Sequence, residues 1–346
     1  MLCALIIAGG EGTRFWPIST EEKPKQFINI ISNRTMIQLT IDRIRELIPI
    51  ERIFISTGEK YKQLVLKQIP DLLEENIIVE PVGKNTAPSI LLASLYIKKI
   101  YKNSNIIVLP SDHLIGNTEK FLNNINIAND FIKNNQKAII TFGIKPNRPE
   151  TNYGYISVNS MEKNKIIKVN QFLEKPTLDI AKRFIKEKKY LWNAGIFIFN
   201  IDSMLKEFEV NLNYTYMLLH DLINMDKEVY TKKLEEKYHK CEDISIDYAI
   251  MEKSNNIYTI PSEFEWDDVG NWNAIKRYIK PDGNNNYVKG NGIMCNALNN
   301  IVFSQNKKII MIDVSNLFCI ETDEMILIGP QDNIKNIKEY RKRFNL

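Results

Sequence analysis

The 346-residue sequence has few cysteines and histidines for its length. Its three histidines show no metal-ligand spacing, and its four cysteines are equally scattered, at Cys3, Cys241, Cys295 and Cys319. Thiols without a metal or disulfide pattern are typical of reduced, buried cysteines. We therefore expect a cytoplasmic protein without a cysteine-based metal site.

Long apolar runs and a strong net charge are also missing. No stretch approaches the roughly 20 consecutive apolar residues that a membrane-spanning helix needs, so we expect no membrane partner. The formal net charge is only +4, from 46 basic and 42 acidic residues, and no basic stripe alternates with aromatic residues. This pattern argues against nucleic acid as a partner. The apolar N-terminal segment has no basic region before it, which predicts a core strand and not a signal peptide.

The segment "LIIAGGEGTR" near the N-terminus lacks the usual forms of two common phosphate-binding loops. No third glycine follows Gly12 at the spacing of a dinucleotide loop, and the Gly-Lys-Ser/Thr ending of a P-loop is absent. Gly9 and Gly10 nevertheless remove side chains from the turn, so backbone N–H groups can approach an anion or a flat base. Arg14 and Lys25 add donors suited to phosphate oxygens. A nucleotide triphosphate site is one interpretation, and an ordinary turn with solvated charges is the other.

The first part of the chain alternates strand-like and helical patterns. The strand-like runs are "ALIIAG", "RIFISTG", "NIIVEP" and "NIIVLPSD", and apolar residues at helical spacing lie between them. Such alternation predicts a parallel sheet covered by helices, with ligands beyond the carboxyl ends of the strands. Three polar motifs directly follow predicted strands, namely "AGGEGTR", "EPVGKNTAPS" and "LPSDH". We expect them to line one cleft.

The composition changes after "KRYIKPDGNNN". From about Tyr287 onward, short β runs recur without long helices, and a basic helix closes the chain. We therefore predict a nucleotide-binding catalytic domain over residues 1–280 and a small β-rich C-terminal domain over residues 281–346.

Aspartates follow strand-like segments at two distant positions. Asp112 ends one such segment, and Asp267 and Asp268 lie between aromatic residues in "FEWDDVGNW". Carboxylates meeting beside a triphosphate are the hard oxygen ligands that Mg²⁺ prefers, which would suit phosphoryl or nucleotidyl transfer. The alternative is that Asp112 caps the following helix and that the later pair lies in a solvated turn.

Nine segments, in order and at similar distances, resemble the nucleotide-sugar pyrophosphorylases and most specifically the mannose-1-phosphate guanylyltransferases. They are "AGGEGTRFWPIS", "KPKQF", "EPVGKNTAP", "LPSDH", "RPETNYGYI", "FLEKP", "LWNAGIF", "SIDYAIMEK" and "FEWDDVGNW". The resemblance covers nearly the whole chain. It implies a Rossmann-like nucleotidyltransferase domain with a GT-A-like mixed sheet flanked by helices. The C-terminal module would resemble a short left-handed β-helix that supports a homodimer.

The resemblance also implies a reaction, in which GTP and α-D-mannose 1-phosphate give GDP-mannose and pyrophosphate. The cofactor would be Mg²⁺, held by Asp112 and Asp268, while Arg14 and Lys25 balance the triphosphate. The nucleotide would be bound by residues of the glycine loop and of "EPVGKNTAP", namely Ala8, Gly9, Gly10, Gly12, Thr13, Glu80, Asn85 and Thr86. Mannose hydroxyls and the sugar phosphate would be bound by Gly154, Glu174, Lys175, Asn193 and Asp247.

One departure from the family pattern concerns the proposed metal site. Asp267 stands where the family commonly has a serine. Its charge could alter the affinity of the metal site, but we expect its carboxylate to face water. Two other functions stay open at this point. The chain could use another sugar 1-phosphate or another nucleotide, or it could be a non-catalytic nucleotide-sugar sensor.

Overall fold

The computed structural model describes residues 1–10, 12–162 and 164–344. Two compact units are distinguished by contacts within the chain. The first unit comprises Met1–Gly10, Thr40–Ser111 and Ile115–Trp266, and the second comprises Glu11–Leu39, Asp112–Leu114 and Asp267–Leu346. Since the chain passes between the units several times, they do not coincide with the two predicted domains. The boundary between residues 280 and 281 stays a prediction.

The structure consists of strands, helices and short helical turns. The strands are β1 Leu2–Ile7, β2 Ile53–Gly58, β3 Ile77–Glu80, β4 Asn105–Pro110, β5 Leu114–Ile115, β6 Ile139–Ile144, β7 Tyr155–Val158, β8 Ile167–Leu173, β9 Tyr190–Asn200, β10 Ile257–Ser262, β11 Trp266–Asp267, β12 Tyr287–Lys289, β13 Gly292–Cys295, β14 Ile301–Ser304, β15 Ile309–Ile312, β16 Leu317–Glu321 and β17 Ile326–Pro330. The helices are α1 Met36–Ile44, α2 Lys62–Gln68, α3 Thr86–Ile100, α4 Thr118–Asn134, α5 Leu178–Glu187, α6 Ile201–Asn211, α7 Asn213–Leu219, α8 Lys227–Tyr238, α9 Trp272–Ile275 and α10 Ile337–Phe344. Short 3-10 turns cover Thr13–Phe15, Lys25–Phe27, Ile50–Arg52, Glu59–Tyr61, Glu74–Asn76, Leu222–Asn224 and Gln331–Asn336, and a π-helical turn covers Asp247–Met251.

The first unit is built on a nine-stranded mixed sheet with the order β3-β2-β1-β4-β9-β6-β10-β8-β7. The four strands predicted from the N-terminal part of the sequence, β1 to β4, pair in parallel as expected. Strand β9 then pairs antiparallel with both β4 and β6, which makes the sheet mixed. The predicted mixed α/β class is confirmed, and the parallel part brings the ends of β1, β3 and β4 to one edge of the sheet.

Strands β7, β8 and β9 make additional pairings at one end of the sheet. Strand β7 pairs with β8 and also with the first residues of β9, from Tyr190 to Trp192. A register shift between Thr141 and Gly143 bends the β6–β9 pair. Asn193, the fourth residue of β9, pairs with Gly143 of β6 and is only 7% exposed.

Helix α3 supplies much of the apolar core of the first unit. Its residues at helical spacing, including Ile90, Leu91 and Ile97, are buried in one cluster with Leu5 and Phe54 of the sheet. A helix that is apolar around most of its circumference must be covered on several sides. This explains why ten of its fifteen residues are buried.

The core of the second unit is rich in aromatic residues. Phe15 packs against Trp272 with ring centroids 5.4 Å apart, and the Trp272 Nε1–H donates to the carbonyl of Trp16 at 3.1 Å. Phe303 contacts the other side of Trp272 at 5.7 Å. The segment after the glycine loop is therefore fixed by residues from the C-terminal third of the chain.

The C-terminal part of the second unit consists of stacked coils. Strands β12, β14 and β16 pair in parallel, as do β13 and β15, and β17 adds an antiparallel edge to β16. Asparagines at the corners, Asn285, Asn299 and Asn316, adopt positive φ angles of 59°, 54° and 57° and hydrogen-bond to one another along the stack. Asparagine tolerates this conformation better than other residues with a Cβ, which explains its frequency at these turns.

No helix in the described ranges is long and apolar enough to cross a membrane. The four cysteines are free, with Cys295 exposed and the other three buried.

Candidate functional site

The predicted site residues fall into two groups, one within each unit. In the second unit, Lys25 is the centre of a cluster of charged and polar groups. Its Nζ donates to the carboxylate of Asp112 at 2.8 Å and to the backbone carbonyl of Asp268 at 2.5 Å. The Lys25 side chain is only 4% exposed, whereas a third of the Asp112 side chain faces solvent. A buried ammonium held by two oxygens is fixed in place, and it keeps the two predicted metal ligands near one another.

Gly12 is required for this arrangement on two grounds. Its φ angle is 51°, in the left-handed region, and a Cβ at this position would lie 2.5 Å from the backbone nitrogen of Lys25. Any side chain there would collide with backbone that cannot move aside. The glycine loop therefore brings Lys25 close, while Thr13 and the exposed Arg14 begin the short 3-10 turn after it.

The charges around Asp112 keep it ionised. Burial alone would raise its pKa, but Lys25, His113 and Arg14 outweigh that effect and lower the pKa below its ordinary value. Burial lowers the pKa of His113, against the attraction of Asp112 and Asp268. The lowered pKa of Asp112 leaves its carboxylate available as an anionic ligand.

The donor set of this cluster fits a divalent cation such as Mg²⁺. Asp112 supplies an ionised carboxylate, and Asp268 lies beside the same lysine. Over residues 1–10, 12–162 and 164–344, no group of three or more histidine, cysteine or acidic side chains is arranged so that it could hold a metal ion by itself. Magnesium is usually held by one or two carboxylates together with substrate phosphates, so an open pair is the arrangement expected for it.

Asp267 does not face water, and that prediction is wrong. Its carboxylate is 5% exposed and receives two hydrogen bonds from Arg277, Nε at 2.6 Å and Nη2 at 2.7 Å. The backbone N–H of Val269 also donates to it at 2.7 Å. Sequence reasoning missed Arg277, since nothing in the local pattern links it to a residue ten positions earlier. The ion pair fixes the turn that contains Asp268.

In the first unit, the start of the glycine loop lies beside Glu80. A Cβ on Gly9 would be 3.3 Å from Glu80 Oε1, so the absence of a side chain permits this approach. Ala8 is anchored on β2, with its N–H donating to the carbonyl of Ser56 at 2.8 Å. Gly10 is exposed, and a Cβ at this position would have no atom within 4 Å. Gly9 and Glu80 are thus neighbours, and their predicted role in nucleotide binding stays a prediction.

The Glu80 carboxylate is buried and already hydrogen-bonded. Oε1 accepts from the hydroxyls of Ser56 at 3.0 Å and Ser89 at 2.9 Å, and Oε2 accepts from Tyr238 at 2.8 Å. Burial raises the pKa of Glu80, partly opposed by these three hydroxyls. No local pattern indicated the serines or Tyr238, which comes from a helix more than a hundred residues later. The role of Glu80 in reading guanine stays a prediction.

Asn85 and Thr86 make hydrogen bonds that stabilise the start of α3. The Asn85 side chain accepts from the Thr86 N–H at 3.0 Å, and the Asn85 φ angle is 65°. The Thr86 hydroxyl accepts from the N–H of Ile246 at 2.8 Å. Asn85 remains exposed, so it can also meet a ligand, and its predicted nucleotide contact is untested.

The predicted sugar-binding residues meet in a second cluster of the first unit. A Cβ on Gly154 would lie 2.5 Å from Glu174 Oε2 and 3.4 Å from Asn193 Cβ, so the glycine admits both side chains. Asn193 Nδ2 donates to Asp247 Oδ1 at 3.0 Å, and Lys175 pairs with Glu174 at 3.0 Å. All five residues predicted for this side are therefore joined in one network.

Two carboxyl groups, those of Glu174 and Asp247, lie near one ammonium group, that of Lys175. Burial, with the nearby Glu174, raises the pKa of Asp247 to about 7. Burial likewise raises the pKa of Glu174, although Lys175 opposes the shift. The Lys175 side chain is 51% exposed, so it can reach a phosphate while remaining next to the carboxylates. Hydroxyl groups of a sugar would meet both donors and acceptors here.

Comparison with known proteins agrees with this description. The nucleotidyl transferase family model matches residues 3–283. A mannose-1-phosphate guanylyltransferase from Escherichia coli is 32% identical over 355 residues, which are 100% of this chain and 76% of that protein. Mannose-1-phosphate guanylyltransferase RfbM from Salmonella typhimurium is 35% identical, over 98% of this chain and 72% of that protein.

A solved structure has the same fold as this chain. It is described as a mannose-1-phosphate geranyltransferase from Thermus thermophilus, and it superimposes with a TM-score of 0.89 at 29% identity. The match covers 100% of this chain and 99% of the other. The family predicted from the motifs is confirmed. The chain belongs to the nucleotidyl transferase family, as a member of the mannose-1-phosphate guanylyltransferases within it.

Proposed function

We propose that this chain transfers a guanylyl group from GTP to α-D-mannose 1-phosphate, giving GDP-mannose and pyrophosphate. The single observation that carries the transferase chemistry is Lys25, held between the Asp112 carboxylate and the Asp268 carbonyl. The names of the full-length relatives support GTP and mannose 1-phosphate as the substrates.

The chemical step is an in-line displacement at phosphorus. A phosphate oxygen of mannose 1-phosphate attacks the α-phosphorus of GTP, a new P–O bond forms, and the bond to the β-phosphate oxygen breaks. The electron pair leaves with pyrophosphate. Because the attacking oxygen is already ionised, no side chain needs to remove a proton. The work of the protein is positioning and charge neutralisation.

Charged side chains neutralise the phosphates in this step. Lys25 and Arg14 neutralise the triphosphate and the departing pyrophosphate, with Gly12 and Thr13 in the loop between strand and turn. Asp112 and Asp268 would hold Mg²⁺, which when bound withdraws charge from the α-phosphate. The lowered pKa of Asp112 supports this role, since a metal ligand must be ionised.

Other predicted residues recognise the nucleoside and the sugar. The backbone of Ala8, Gly9 and Gly10 holds the nucleoside, and Glu80, Asn85 and Thr86 contact guanine. The sugar hydroxyls bind Gly154, Glu174, Asn193 and Asp247, and the sugar phosphate binds Lys175. The shared network of the last five residues supports a single pocket for one small polar ligand.

We further propose that residues 1–280 form the catalytic domain and residues 281–346 a short left-handed β-helix. The end of the family match at residue 283 and the parallel coil stack support this division. A homodimer is supported by an apolar face on paired strands, where Ile293 lies opposite Ile310 and both are about half exposed. Free cysteines support a cytoplasmic location.

The experiment that tests the function is pyrophosphate release by the purified chain. GTP with mannose 1-phosphate and Mg²⁺ is compared with ATP, UTP and dTTP, and with glucose 1-phosphate. Release with GTP and mannose 1-phosphate alone is the expected result. Release with another pair would retain the mechanism and replace the substrates. A folded protein that releases no pyrophosphate with any pair would contradict the proposal and favour a nucleotide-sugar sensor.

A further inference from the structure

Several hydrogen bonds to neighbouring residues fix the backbone and the side chain of Asn193. Its backbone N–H donates to the carbonyl of Gly154 at 2.8 Å. Its side-chain carbonyl accepts from the hydroxyl of Thr141 at 2.6 Å and from the N–H of Gly195 at 3.2 Å. Its amide nitrogen donates to Asp247 at 3.0 Å.

This set of bonds fixes what Asn193 can offer to a ligand. Both acceptor positions of its carbonyl oxygen are used, and one of its two amide hydrogens is used. Within the described part of the chain, the second amide hydrogen has no acceptor. Asn193 therefore presents a donor, and a sugar hydroxyl that meets it must accept.

Thr141 makes the shorter of the two bonds to the Asn193 carbonyl. It lies on β6 next to the register shift between Thr141 and Gly143, and it is fully buried. Thr141 pairs with Phe197, but the next pair joins Gly143 to Asn193, so the register of the first pair is not continued. The hydrogen bond between the Thr141 hydroxyl and the Asn193 side chain thus lies next to this register shift.

We infer that Thr141 is a positioning residue for the sugar 1-phosphate: its buried hydroxyl locks the Asn193 amide in the orientation that donates to a sugar hydroxyl. This inference rests on the proposed function and adds a residue to it. Thr141 acts only through Asn193, so its loss weakens sugar binding and leaves the nucleotide side unchanged.

The neighbouring strand provides a matched control. Thr259 on β10 pairs directly with Thr141 in register and is equally buried. Its hydroxyl has no hydrogen-bond partner in the described part of the chain. Thr141→Val and Thr259→Val therefore make the same chemical change at adjacent positions, and only the first removes a bond to Asn193.

The test measures steady-state pyrophosphate release for both variants and for Thr141→Ser, which keeps the hydroxyl. Thr141→Val should raise the KM for mannose 1-phosphate about five- to tenfold, as loss of one buried hydrogen bond predicts, with the KM for GTP unchanged. Thr141→Ser should restore the KM, and Thr259→Val should match the wild type. In an Asn193→Ala background, Thr141→Val should cause no further increase.

Other outcomes separate the two proposals. A wild-type chain without turnover on any substrate pair would overturn the proposed function and this inference with it. An active wild type, with equal KM values in Thr141→Val and Thr259→Val, would overturn the inference alone. A parallel rise in both KM values together with a lower Tm would mean a structural role, which also contradicts it. If Thr141→Val does not fold, Thr141→Ala removes the same hydroxyl without adding a methyl group.

Discussion

At the scale of single residues, two adjacent aspartates have different environments. Asp267 is buried and bound twice by Arg277, whereas Asp268 holds Lys25 through its backbone carbonyl. A substitution of the Asp268 side chain leaves that carbonyl in place. Asp267 therefore stabilises this turn, and the proposed chemical role of the Asp268 carboxylate stays a prediction.

We predict that Asp268→Asn lowers turnover by at least about 100-fold, because the proposed charged ligand of the metal is lost. We expect the Tm to stay near that of the wild type, because the Asp268 backbone carbonyl that accepts from Lys25 remains. The measurements are pyrophosphate release and thermal unfolding. Asp267→Asn is the control. It should reduce the free energy of unfolding by about 1–3 kcal/mol through loss of a partly exposed ion pair, with turnover retained. Full activity in Asp268→Asn would remove this residue from the metal site.

At the scale of elements, the C-terminal coils depend on buried asparagines. Asn300 is fully buried and donates to Asn286 at 2.9 Å and to the carbonyl of Val314 at 3.2 Å. It also accepts from the N–H of Leu317 at 2.9 Å. The Asn300 side chain thus bonds to polar groups of the coil before it and of the coil after it, and polar groups buried without partners would destabilise the fold.

We predict that Asn300→Leu reduces the free energy of unfolding of this element by about 2–4 kcal/mol, because polar backbone groups lose their partner. The measurement is urea denaturation followed by tryptophan fluorescence, since Trp272 belongs to the same unit. The matched variant is Asn299→Gly, which removes a partly exposed asparagine but keeps the positive φ angle. It should cost no more than about 1 kcal/mol. Equal losses in the two variants would refute the special role of the buried position.

At the scale of the whole molecule, the raised pKa values of the first unit link stability to pH. Asp247 has a pKa of about 7 in the folded chain, against an ordinary value of 3.8. A carboxyl group with a raised pKa favours the protonated form in the folded state. Its contribution to stability is therefore complete below the ordinary pKa and is lost as the pH rises through about 7.

We predict that the free energy of unfolding falls between about pH 5 and about pH 7, and that Asp247→Asn makes this fall smaller, because asparagine cannot ionise. Urea denaturation at several pH values measures the slope. Asp71→Asn is the control, since Arg45 lowers the pKa of Asp71 and the group is ionised throughout this interval. It should shift the curve without changing its slope. An unchanged slope in Asp247→Asn would contradict the raised pKa.

The sequence by itself determined the local elements and the family. Apolar periodicity predicted β1 to β4, and the glycines predicted a bare turn, because strand formation and backbone freedom depend on neighbouring residues. The order of the motifs identified the family without any structure. These are properties that a few consecutive side chains decide.

Only the tertiary structure decided which distant groups meet. Lys25 pairs with Asp112, Tyr238 with Glu80, and Thr141 with Asn193, and no local pattern connects the members of these pairs. The wrong expectation for Asp267 has the same cause, since its burial depends on where Arg277 packs. Hydrogen bonds between remote side chains follow from the packing of the whole core, which periodicity along the chain does not contain.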